Sequence, residues 1–101
     1  MKIDKNEDPE IFALTQDQLN LVNEFSEKIN KKLVEIYIEN PYIDKYVVGG
    51  DLADQFRGFS KKCQDAFFRI VEKSGHKNVE FKIKMEIDGK NIEEKNYLIF
   101  S

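Results

Sequence analysis

Apolar residues in the first half of the chain recur every three or four positions: Leu19, Val22, Phe25, Ile29, Leu33 and Ile36. That is the period of a helix with one buried stripe. Ahead of the stripe, Thr15 and Gln18 stand in the positions of a capping box, with Leu14 and Leu19 placed as a hydrophobic staple. Pro41 disfavours helix at the residue before it, so the pattern predicts a helix over 15–39. Glu24 with Lys28, and Glu27 with Lys31, fall one turn apart on its polar side. Leu33 to Glu39 also alternates in the manner of a strand, but the helical stripe continues across it in phase and favours helix.

A second stripe runs Leu52, Phe56, Phe59, Cys63, Phe67 and Ile70. It predicts a helix over 51–74, capped by Asp51 and stopped by Gly75 after Ser74. Gly58 inside it costs about 1 kcal/mol relative to alanine and marks a close helix contact or a slight bend. Between the two helices, Pro41 to Gly50 is an unusually apolar connector holding Tyr42, Ile43, Tyr46, Val47 and Val48. The period then changes to two. Val79, Phe81, Ile83, Met85 and Ile87 alternate with Glu80, Lys82, Lys84, Glu86 and Asp88, as in a sheet with one wet face. Asp88-Gly89 signals a tight turn, Tyr97 to Phe100 reads as the returning strand, and the broken alternation from Ile92 to Asn96 predicts a bulge or enlarged loop.

These elements predict an α+β fold in which two long helices pack on a C-terminal antiparallel β-hairpin over 79–100, in two layers, since a lone hairpin is unstable in water. The open sheet edges invite pairing with another chain.

Composition sharpens this reading. The 101 residues are enough for a single domain, 1–101, with residues 1–8 polar and frayed and a short helical turn begun by Asp8-Pro9-Glu10. Eight Phe and four Tyr give a low apolar content enough area to fill a core. A net charge of −3, from 16 basic and 19 acidic residues, disfavours a nucleic-acid domain. The single cysteine, Cys63, forms no internal disulfide and fits a reducing, cytoplasmic location. Neither a signal peptide nor a membrane span is expected.

Candidate chemistry is sparse. Gly49-Gly50 precedes a helix start, but the Gly-Lys-Ser/Thr of a phosphate loop is missing. His76 sits in a loop and Cys63 on the buried stripe, with nothing bringing them together. No cofactor and no metal site is expected, and no catalytic residue is nominated. Two patches remain. Arg57, Lys61 and Phe68 fall on one side of the second predicted helix, off its core stripe. Tyr42 and Tyr46, with Tyr37, form the other, since tyrosine joins an apolar body to a polar tip. Arginine and aromatics anchor protein interfaces. The expectation is therefore a non-enzymatic protein-binding module: a small inhibitor, immunity or anti-defence protein of bacterial or phage origin, whose partner is another protein and which forms a homodimer. The alternative is a nucleic-acid-associated regulator using Arg57, Lys61, Lys62, Arg69 and Lys73 beside Phe68.

Overall fold

The computed structural model describes residues 13–75 and 78–101. The turn expected at Asp8 to Glu10, the fraying expected over 1–8 and the loop expected at His76 lie outside them. In chain order the elements are α1 (Gln16–Glu39), β1 (Tyr46–Val48), α2 (Asp51–Arg57), α3 (Lys61–Lys73), β2 (Val79–Asp88) and β3 (Asn91–Phe100). The architecture is mixed: three helices and a three-stranded antiparallel sheet among the described residues.

The start of α1 is set by side chains. Thr15 Oγ1 accepts from the Gln18 N–H at 3.2 Å, and Gln18 Oε1 accepts from the Thr15 N–H at 3.0 Å. Both arms of the capping box are thus made. The helix stays regular through 33–39 and ends at Asn40, ahead of Pro41. Leu19, Val22, Phe25, Ser26, Ile29 and Leu33 are its buried residues. Ser26 is tolerated inside because its hydroxyl donates to the Val22 carbonyl at 2.8 Å.

The second predicted helix, 51–74, is two helices. The Gly58 N–H folds back to the Asp54 and Gln55 carbonyls and closes α2. Ser60 then opens α3, its Oγ accepting from the Cys63 N–H at 3.3 Å. Nor does Asp51 cap α2; that place is taken by Gly50, whose φ of +68° suits glycine, and Asp51 begins the helix proper. Ser60→Ala should cost about 1 kcal/mol, the usual worth of a hydroxyl N-cap, read as a lower urea midpoint with unchanged slope.

The connector supplies a strand the alternation did not predict. Tyr46, Val47 and Val48 pair with Phe100, Ile99 and Leu98, so the sheet order is β1-β3-β2. Nor is there a bulge from Ile92 to Asn96: these residues face Ile87 to Ile83 one for one, and the ladder runs unbroken from Asp88↔Asn91 to Val79↔Phe100. The turn holds only Gly89 and Lys90, with Gly89 at φ +61°, as a two-residue hairpin loop with glycine at its first position requires.

The core lies where α1 and α3 meet the base of the sheet. Phe25, Phe56, Phe67 and Phe100 are fully buried, together with Val48 and Leu98 from the strands. Val79 and Phe81 are half-buried against them.

Candidate docking surface on the far half of the hairpin

Odd-numbered residues of β2 and even-numbered residues of β3 share one face of the hairpin, because side chains alternate and the register is regular. At the base that face is Val79, Phe81, Leu98 and Phe100, and it closes the core. Farther out the same face carries Ile83, Met85 and Ile87, opposite Asn96, Glu94 and Ile92. Here α2 reaches the β3 side, at Asn96 and Glu94, while the apolar side chains stay open. Ile83 is 48% exposed, Met85 62%, Ile87 78% and Ile92 65%. The described chain is correspondingly long, 49 × 31 × 19 Å, with a radius of gyration of 14.6 Å where a compact chain of this length has about 13 Å. Four large apolar side chains on one side of the two-stranded arm form an exposed patch of the kind that marks a contact site.

A polar cluster separates the packed base from the arm. Asn96, buried on β3, donates from Nδ2 to Asp54 Oδ1 of α2 at 2.7 Å. Arg57 Nη1 donates to Glu94 Oε2 at 2.8 Å and to Asn96 Oδ1 at 3.3 Å. The cluster clamps α2 to β3 and borders a cavity of about 590 Å³ lined by Gly50, Asp54 and residues 93–97. Asp54, Glu94 and Arg57 are engaged with their neighbours there.

The opposite face of the hairpin is charged. The Tyr97 hydroxyl donates to Glu86 Oε1 at 2.7 Å, Lys95 Nζ lies 3.2 Å from Glu86 Oε2, and the Lys84 ammonium sits 5.5 Å from the centre of the Tyr97 ring. The Tyr97 hydrogen bond first, and Lys95 second, hold the Glu86 carboxyl below its ordinary value. Lys95 and Tyr97 are each raised, chiefly by Glu86. The signs follow from linkage. The Glu86 contribution is present above the usual glutamate range and is lost as pH falls through its lowered folded value. The Lys95 and Tyr97 contributions are present below their unfolded titrations and are lost as pH rises through their raised values. Tyr97→Phe should therefore be less stable than the parent near neutral pH, with the gap narrowing as pH falls through the carboxylate range, visible in thermal melts between about pH 3 and 7.

The residues singled out from sequence are scattered. Tyr42 is 91% exposed just after α1, whereas Tyr46 begins β1 and is half-buried against the core. Arg57 ends α2 and is held by Glu94 and Asn96; Lys61 begins α3 and is exposed. The helix break sets Arg57 and Lys61 on different helices, not on one continuous helix as expected. Phe68 is half-buried, its ring 5.3 Å from that of Phe56 and 6.3 Å from that of Phe67. With Phe56, Gln64, Glu80, Phe81 and Lys82 it lines a second cavity, of about 510 Å³, beside the edge of β2. Cys63 is buried. The alternation predicts a core-facing Ile83, Met85 and Ile87 and places Ile92 in a bulge; the signal that exposes them is polar, since Asn96 and Glu94 face Ile83 and Met85 on that same side.

Among the described residues no three His, Cys, Asp or Glu side chains gather to hold a metal ion, and no helix is long and apolar enough to cross a membrane. Neither a protein family, nor a curated protein, nor a solved structure matches this chain.

Proposed function

We propose that this chain is a non-enzymatic protein-binding module whose contact element is the far half of the hairpin. One observation carries the reading: Ile83, Met85, Ile87 and Ile92 stand about half to four-fifths exposed on a single face of an arm that has left its own core. Such an arm offers a partner both an apolar face and open strand edges, the two ingredients of recognition by strand addition. A module of this kind acts by occupying another protein, as a small inhibitor, immunity or anti-defence protein of bacteria or phages does.

The test places a photoactivatable amino acid at Ile87 and, as a control, at Lys28 on the wet side of α1, in cells. A discrete protein adduct at position 87 alone, lost when Met85 is also changed to Glu, is the result expected. No adduct at 87, or the same adducts from both positions, would overturn the reading.

A further inference from the structure

Resting on the arm as contact element, we infer that its occupant is a second copy of this chain, joined by antiparallel pairing of the two β2 edges about a two-fold axis at Met85.

Hydrogen-bond phase comes first. The Asn78 N–H donates to the Ser101 carbonyl and the Ser101 N–H donates to the Asn78 carbonyl, so 78 and 101 form a hydrogen-bonded pair. In an antiparallel ladder such pairs alternate with non-hydrogen-bonded ones. Down the regular register, residues 80, 82, 84, 86 and 88 turn their backbone groups to β3. Phe81, Ile83, Met85 and Ile87 therefore turn theirs outward. β2 is the last strand of the sheet, so this edge meets no other described strand. A second β2 running the other way, with Met85 opposite Met85 and Ile83 opposite Ile87, meets these groups in phase.

Charge selects that register. On the wet face, β2 reads Glu80, Lys82, Lys84, Glu86, Asp88. This order is self-complementary about Met85: Lys84 meets Glu86 of the second copy and Lys82 meets Asp88, each twice by symmetry. Centring the pair on Ile83 sets Lys82 against Lys84 and Glu80 against Glu86. Centring it on Lys84 or Glu86 sets that residue against itself, and on Lys84 also Glu80 against Asp88. Lysines on an edge strand ordinarily discourage pairing; here they discourage every neighbouring register and favour one.

The cavity beside this edge agrees. In the Met85-centred register, Ile87 of the second copy lies opposite Ile83, and the turn that follows it comes beside Phe81. Both lie next to the space of about 510 Å³ walled by Phe56, Phe68 and Phe81. The apolar faces of the two arms become one, with Met85 against Met85 at its centre.

Sedimentation equilibrium of the full chain, its Lys82→Asp and Asp88→Lys variants, and their equimolar mixture tests the inference. The parent should reach twice the chain mass as concentration rises. Each variant alone turns two opposite-charge contacts into two like-charge contacts and should raise the dissociation constant roughly tenfold or more. The mixture should recover the dimer, because the aspartate introduced in one variant then meets the lysine introduced in the other. Met85→Cys, at the axis, should form an intersubunit disulfide on mild oxidation, since hydrogen-bonded pairs lie about 5.5 Å apart between Cα atoms, while Ile83→Cys should not. A parent that stays monomeric at every concentration, a mixture no tighter than its components, or cross-linking at 83 rather than 85 would overturn the inference. If the parent is monomeric yet the residue placed at 87 still captures a different protein, the second copy is excluded and the protein-binding reading stands.

Discussion

Phe56→Ala is expected to remove about 3–5 kcal/mol of folding stability, the usual cost of emptying a buried phenylalanine site. Phe56 belongs to the seven-residue α2, too short to hold itself together without tertiary packing. Its ring is fully buried and lies 6.0 Å from Phe25, 5.5 Å from Phe67, 5.3 Å from Phe68 and 5.1 Å from Phe81. It thus joins α1, α3 and β2 at one point. Domains of this size have about 5–15 kcal/mol in total, so the variant should be partly unfolded at about 37 °C. Urea denaturation checks this, and a loss under about 1 kcal/mol would show that the aromatic cluster is not what closes the core.

The second large effect belongs to Asn96→Asp. The change keeps the side chain's size but replaces the amide that donates to Asp54 at 2.7 Å with a carboxylate. Two carboxylates at hydrogen-bond distance repel, and Arg57, 3.3 Å from the same side chain and already paired with Glu94, offsets this only in part, so one titrates upward. At neutral pH the cost should be about 2 kcal/mol, the worth of a lost charge-assisted hydrogen bond at a buried position. Because the folded variant binds an extra proton more readily than the unfolded chain, this penalty should shrink as pH falls toward the ordinary carboxylate range. Asn96→Ala, which has no such carboxylate, should show a penalty free of that trend. Denaturation of both variants across pH separates them.

Much of the fold was legible because single residues announced it. The α1 stripe, the Thr15–Gln18 box and Pro41 located that helix with its start and stop. The hairpin followed from strict alternation and from Asp88-Gly89. What stayed hidden was the product of tertiary packing. The break at Gly58 to Ser60 left the apolar spacing nearly unchanged, so periodicity ran through it; the local signs were one glycine and one serine without a capping-box partner. β1 is three residues long, too short for alternation to register, and it exists because the edge of β3 is there to receive it. The bulge expected from Ile92 to Asn96 came from taking polar residues on the inner face for a broken strand. Asn96 and Glu94 there meet the polar side chains Asp54 and Arg57 of α2 rather than the apolar core, so the inner face does not call for apolar residues. The same cause hid the contact surface: alternation alone does not say where along a strand the covering helices stop.

Amide hydrogen exchange along β2 reaches the central claim most directly. In dilute solution the N–H groups of Ile83, Met85 and Ile87, which turn away from β3, should exchange nearly as fast as open backbone, while those of Lys84 and Glu86, bonded to β3, are protected. On association the three outward amides should slow by about tenfold or more, matching their neighbours. Outward amides already protected in a dilute single chain, or equally fast in dilute and associated samples, would contradict an arm built for docking.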